Sequence, residues 1–303
     1  MHHLLTLEEL DRAALTRLLD RAETFRRGRA PRDLLAGRTV LTLFFEPSTR
    51  TRTSFVLAAK RLGADNVNFD LSRSSTVKGE SLLDTLHTLE AMGLDALIVR
   101  HNENGMPKYL AEHASTRVAV VNAGDGTHAH PTQGLLDALT IRQHHADFAK
   151  LKVTICGDIR HSRVARSDVR ALTTLGVAHI QLCAPRAMLP ETLADFPECT
   201  TGEDFDAAVA GANVVMMLRI QKERMAAAQF PEARDYHAHY GLDARRLALA
   251  AADALVLHPG PINRGVEIAA EVADGAQSCI LEQVANGVAT RMAVLAGLLG
   301  SGA

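Results

Sequence analysis

The run Glu46-Pro47-Ser48-Thr49-Arg50-Thr51-Arg52-Thr53-Ser54 gathers hydroxyls and two guanidinium groups directly behind an apolar segment ending at Phe45. A Ser/Thr-rich turn that opens a helix offers backbone N–H groups lacking intrahelical acceptors, at the positive end of the helix dipole. Arg50 adds a planar, permanently charged donor suited to phosphate oxygens. Serine and threonine are also ordinary N-caps, so Ser48 or Thr49 alone would specify only a helix start. The whole run argues for anion binding. Neither a GxxxxGK[ST] loop nor a GxGxxG fingerprint occurs, so the anion expected is a small phosphate compound rather than a nucleotide.

Five more polar groups follow apolar runs in the same way. Arg100 follows Val99. Asn122-Ala123-Gly124-Asp125-Gly126, then His130-Pro131-Thr132-Gln133, follow Val121. Gly157-Asp158, with Arg163 nearby, follow Cys156; Arg219-Ile220-Gln221 follow Met217; His258-Pro259-Gly260-Pro261 follow Leu257. In open parallel sheets ligands bind beyond the carboxyl ends of strands, so six such groups suggest one composite site facing a shared cleft. Taken alone, His130 reads as a loop histidine, and Arg163 cannot be chosen over Arg160 or Arg166. Neither His128/His130 nor His237/His239 has the i, i+4 spacing with a carboxylate that marks a zinc helix, so no metal is expected. No cofactor is implied.

These groups need elements to hold them. Strand-like runs occur at 39–45, 96–99 and 118–121, and again at 153–156, 180–183, 214–217 and 255–257, with helix-periodic stretches between them. Leu82, Leu83, Leu86, Leu89 and Met92 fall on one helical face before Gly93, a natural C-cap. This alternation predicts an α/β protein of two three-layer α/β/α domains, each with a mainly parallel sheet, joined by long helices. We expect residues 1–133 with the C-terminal helix 285–303 to form one domain and 134–284 the other, with 134–149 as the linking helix. The stretch from Gln229 to Tyr240 is the candidate closing loop, and His144-His145 reads as helix surface.

The 303 residues, 47% of them hydrophobic, suffice for two packed cores at roughly 100–200 residues per domain. A net charge of −2 supplies no global field for nucleic acid or an anionic membrane, and neither partner is expected. The N-terminus lacks a signal-peptide pattern, no apolar run approaches a membrane span, and the four cysteines show no CxxC spacing. A reduced, cytoplasmic location is expected.

Four blocks carry a resemblance over nearly the whole chain: Phe44–Arg52, Asn122–Gln133, Arg219-Ile220-Gln221-Lys222-Glu223-Arg224, and His258-Pro259-Gly260-Pro261-Ile262-Asn263-Arg264-Gly265. The chain resembles the aspartate/ornithine carbamoyltransferases; the last two blocks are similar to the aspartate-specific branch. The resemblance implies transfer of the carbamoyl group of carbamoyl phosphate to the amine of L-aspartate, in de novo pyrimidine (UMP) synthesis. It implies that Ser48, Thr49, Arg50 and Thr51 hold the phosphate, while Thr51, Arg100, His130 and Gln133 address the carbamoyl end. Arg50, Thr51, Arg100 and His130 would be catalytic. Arg163 and Arg219 would take the aspartate carboxylates with help from Gln221, and backbone groups at Pro259 and Gly260 would orient the amine and carbamoyl groups. Ser74 and Lys78 would enter from a neighbouring subunit, Lys78 reaching both substrates, which implies a homotrimer with shared sites; Ser72 and Ser75 compete with Ser74 for that role. Some relatives join regulatory chains and others a dihydroorotase-like chain, and the sequence does not choose between them. Ornithine carbamoyltransferase is the alternative. That branch carries a late His-Cys-Leu-Pro motif where this chain has His258-Pro259-Gly260-Pro261.

Overall fold

The computed structural model describes residues 1–69, 81–220 and 232–300. Two compact units divide the chain, Met1–Leu139 with Val284–Ala303, and Thr140–Gln283. In the first, β1 (Thr39–Phe44), β2 (Asp65–Phe69), β3 (Ala96–His101) and β4 (Ala119–Asp125) form an all-parallel sheet in the order β2-β1-β3-β4. Its helices are α1 (Arg12–Arg26), α2 (Thr49–Arg61), α3 (Leu82–Ala91), α4 (Met106–His113), most of α5 (Pro131–His144) and most of the C-terminal helix (Ile280–Leu299).

Side chains alternate across a strand, so the sheet has two apolar faces. Leu41, Leu43, Leu97, Val99, Val118 and Val120 cluster with Leu86 and Leu89 of α3 and Leu110 of α4. Val40, Thr42 and Ile98 alternate with them and are equally buried. Right-handed crossovers explain the layers: β1 to β2 steps one way across the sheet and β2 to β3 the other, so α2 lies on the face opposite α3. The Phe55, Ala58 and Ala59 side chains are the buried stripe of α2.

The second unit holds β5 (Lys152–Cys156), β6 (His179–Cys183), β7 (Cys199–Gly202), β8 (Val214–Met217) and β9 (Leu255–Leu257), parallel throughout in the order β7-β6-β5-β8-β9. Helix α6 (Arg163–Leu175) starts where the Ser162 hydroxyl accepts the Ala165 N–H at 3.0 Å, and ends at Gly176, whose φ of 88° is the left-handed C-cap geometry. The chain crosses between units inside two helices, α5 and the C-terminal helix Ile280–Leu299.

All seven strand runs read from the sequence are strands. Two edge strands, β2 and β7, were not read from the sequence, because each carries at most two apolar residues among polar ones, in Asp65-Asn66-Val67-Asn68-Phe69 and Cys199-Thr200-Thr201-Gly202. Asn122 to Asp125 belong to β4 rather than following it. Of the expected closing loop, 229–231 lie outside the described residues and Ala233–Tyr240 is a helix.

Candidate active site

In each sheet one pair of neighbouring strands marks the point where successive connections leave in opposite directions, and crevices at such points are where open α/β sheets bind ligands. In the first unit this point lies between β1 and β3, and in the second between β5 and β8. Ser48–Thr51 and Arg100 follow the strands of the first point, and Arg163 and Arg219 follow those of the second.

At the first, β1 runs through Phe45 and Pro47 into α2, with Ser48 at the N-cap. The Ser48 side chain makes no capping bond, so the ordinary N-cap reading does not explain it. The first intrahelical bond runs from Arg52 N–H to the Ser48 carbonyl at 3.1 Å, and no acidic side chain occupies the first turn. The amides of that turn precede the first intrahelical donor, the condition that favours an anion. Thr49 and Arg50 are exposed and Thr51 is buried. Arg100 sits beside Phe44 in the β1–β3 register, its Nε 2.6 Å from Glu46 Oε1 and its Nη1 donating to the Ala123 carbonyl at 3.1 Å. Strand register and a carboxylate thus fix its guanidinium at the strand end.

His130 is buried directly before α5, and its carbonyl accepts the Gln133 N–H at 2.9 Å. Gln133 is buried as well, with Nε2 donating to Asp137. Ser74 and Lys78 lie outside the described residues, as does Gln221.

At the second point, Gly157 follows β5 with φ +136°, and a Cβ there would meet the Leu218 Cβ at 2.8 Å. Glycine lets the exit of β8 close against the exit of β5, where Leu218 N–H donates to the Cys156 carbonyl at 2.8 Å. Arg163 opens α6. Nearby, Arg160 pairs with Glu191, and Arg166 donates to Asp195 at 3.2 Å and lies over the Phe196 ring. Arg219 is exposed just beyond β8, and among the described residues no carboxylate lies within ion-pair distance of it.

The loop after β9 is held by a buried pair. His258 Nε2 lies 2.9 Å from Glu267 Oε1, and its Nδ1 accepts the Gly260 N–H at 2.8 Å. An acceptor at Nδ1 leaves the proton on Nε2, donated to the carboxylate. Glu267 also accepts the Asn263 N–H at 2.6 Å, and Asn263 Nδ2 donates to the Ile220 carbonyl at 2.9 Å, tying this loop to the segment bearing Arg219. Since the Gly260 N–H is spent and Pro259 has none, carbonyls are what these two residues can offer a ligand. Glu46, Asp137 and Glu267 are supporting residues that sequence reasoning missed; only Asp137 left a signal, its i, i+4 spacing from Gln133 on a helix.

Elsewhere His144 is exposed in the last turn of α5, as a helix-surface residue. Its Nε2 lies 2.8 Å from Glu282 Oε2 and 3.8 Å from Cys279 Sγ.

Comparison with known proteins follows this division of labour. Residues 2–143 match the aspartate/ornithine carbamoyltransferase carbamoyl-P binding domain, and residues 149–298 match the Asp/Orn binding domain of the same family. An aspartate carbamoyltransferase catalytic subunit of Xanthomonas campestris pv. campestris is 61% identical, the alignment covering 99% of this chain and 96% of the relative. Among solved structures, aspartate transcarbamoylase from Trypanosoma cruzi in complex with carbamoyl aspartate and phosphate superposes with a TM-score of 0.87 at 30% identity, covering 98% and 96% of the two chains. Ornithine carbamoyltransferase from Thermus thermophilus gives a TM-score of 0.88 at 27% identity, with 99% of each chain covered.

Proposed function

The chain belongs to the aspartate/ornithine carbamoyltransferase family, and on that premise we propose that it transfers the carbamoyl group of carbamoyl phosphate to the amine of L-aspartate, releasing phosphate. The product, N-carbamoyl-L-aspartate, belongs to de novo pyrimidine (UMP) synthesis. The observation that carries the reading is the flanking of both switch points by cationic and hydroxyl groups, Ser48–Thr51 with Arg100 in one unit and Arg163 with Arg219 in the other.

The chemistry asks little covalent work of the protein. The neutral amine attacks the carbamoyl carbon, negative charge develops on the carbonyl oxygen, and phosphate departs with the bonding pair and takes the proton that the amine gives up. Catalysis then rests on alignment and on donors aimed at the developing charge. In this reading Ser48, Thr49, Arg50 and Thr51 hold the phosphate, and Thr51, Arg100 and His130 polarise the carbonyl. Gln133 takes the carbamoyl amide. Arg163 and Arg219, with Gln221, take the aspartate carboxylates, and the carbonyls of Pro259 and Gly260 orient the amine and carbamoyl groups. Ser74 and Lys78 come from a neighbour in a homotrimer, with Lys78 touching both substrates. No described helix is long and apolar enough to cross a membrane, and we place the enzyme in the cytoplasm.

The fold does not separate aspartate from ornithine, since structures of both enzymes superpose equally well. The side chains do. Arg219 suits a second carboxylate and opposes ornithine's side-chain ammonium. The purified protein supplied with carbamoyl phosphate should carbamoylate aspartate and leave ornithine untouched; transfer to ornithine alone would overturn the assignment.

A further inference from the structure

The Gln133 side chain is set by a network that the reaction scheme does not use. Its Nε2 donates to both oxygens of Asp137, at 3.1 and 3.0 Å, and Asp137 is 1% exposed. A carboxylate offers only acceptors, so the glutamine must turn its NH2 group toward Asp137 and its carbonyl oxygen away. Nothing in the shape of an amide would otherwise choose, because its oxygen and nitrogen are nearly isosteric.

A buried arginine on the C-terminal helix feels the Asp137 charge. Arg291 of the C-terminal helix is 3% exposed, donates to the Gly287 carbonyl at 3.0 Å, and sits 5.0 Å above the Phe55 ring of α2. Burial pulls its guanidinium down to about 9 and the Arg100 charge adds to that fall, while Asp137 opposes it. Arg291 thus joins the C-terminal helix to α2, beside the helix α5 that carries Gln133 and Asp137.

We propose that Asp137 is a positioning residue that holds the Gln133 carbonyl oxygen toward the substrate, so that the site accepts a hydrogen bond from a carbamoyl NH2 and disfavours acyl phosphates that carry a methyl group there. The inference rests on the reading of Gln133 as the residue that meets the carbamoyl end. With Asp137 neutralised, the amide is released to flip, and in the flipped state it sets NH2 against NH2, donor facing donor.

The test compares carbamoyl phosphate with acetyl phosphate, which has the same phosphate and carbonyl but a methyl in place of NH2. In the intact enzyme, Asp137→Asn should raise the KM for carbamoyl phosphate by about ten- to a hundredfold, the range for an unmatched buried donor, and leave the inhibition constant of acetyl phosphate unchanged. Gln133→Ala should show the same selective loss, and the double variant should be no worse than Gln133→Ala alone, since the two act as one unit. Because Asp137→Asn strands a buried guanidinium, the paired variant Asp137→Asn/Arg291→Gln, which removes both charges, should reproduce the selectivity change if the single variant does not fold. Equal weakening of both ligands would mean a merely structural role and would overturn the proposal, as would an unchanged KM. A wild-type enzyme that ignores carbamoyl phosphate altogether would sink the functional reading, and this inference with it; a wild type that transfers normally while Asp137→Asn keeps full selectivity sinks the inference alone.

Discussion

The arginines near the proposed groups differ in their partners. Arg160 and Arg166 are committed to Glu191 and Asp195, whereas Arg219 stands exposed with no described carboxylate in ion-pair reach. Arg50 and Arg219 should therefore fail in different ways when removed. A donor to the departing phosphate acts on charge that grows in the transition state, and one such donor is worth about 2.7–4 kcal/mol. Arg50→Ala should cost at least about a hundredfold in kcat, with the fold intact by circular dichroism. Arg219→Ala removes a charge-assisted bond to aspartate, worth about 1.5–3 kcal/mol, so its KM for aspartate should rise roughly ten- to 150-fold while that for carbamoyl phosphate stays near wild type. Near-normal turnover in the Arg50 variant would remove that residue from the mechanism.

At the level of elements, the second unit contains an arginine cluster that does structural work. Arg246 is buried, and its Nη groups donate to the carbonyls of Ala238 and Gly241 at 2.7 and 2.8 Å, capping the helix Ala233–Tyr240 at its C-terminus. Asp206 accepts from Arg246 Nε at 2.7 Å and from Arg245 Nη1 at 2.6 Å, and these hydrogen bonds hold its carboxyl down at about 2. A depressed carboxylate stabilises the fold at every pH above its ordinary range near 4, and that contribution disappears as the pH falls toward 2. Asp206→Asn should consequently lower the urea midpoint at pH 7, and the gap from wild type should close between about pH 4 and pH 2. A gap that stays constant with pH would mean that the ion pairs contribute nothing. Because the carboxylate is substantially exposed, solvent screening keeps the effect modest. This cluster also explains why the stretch read as a closing loop is helical up to Tyr240: its terminal carbonyls meet the buried Arg246 donor, a contact that no hydrophobic pattern announces.

At the level of the whole molecule, the proposed sharing of Ser74 and Lys78 between subunits makes a strong demand. If each site takes Arg50 from one chain and Lys78 from the next, a trimer built wholly of either alanine variant is inactive, yet a mixed trimer contains intact sites. Arg50→Ala and Lys78→Ala proteins, dissociated together and reassembled, should recover a substantial share of wild-type activity; sites contained within single chains would recover none. Sedimentation of the mixture would show whether trimers had formed.

The chain's amino acids determined a good deal unaided. Seven strands, the helix opening after Phe45, and the polar groups at strand ends were all legible, because side-chain alternation, N-terminal capping chemistry and turn residues act over a few neighbours. What only the tertiary structure decided were matters of distant partnership. Strand order created the two switch points, Glu191 and Asp195 found Arg160 and Arg166, and the Asn263 amide reached the Ile220 carbonyl. The edge strands β2 and β7 belong with these, since exposed polar segments become strands only when a neighbouring backbone offers its hydrogen bonds. A residue's charge is local, but what remains of that charge for a ligand depends on which groups packing has already brought against it.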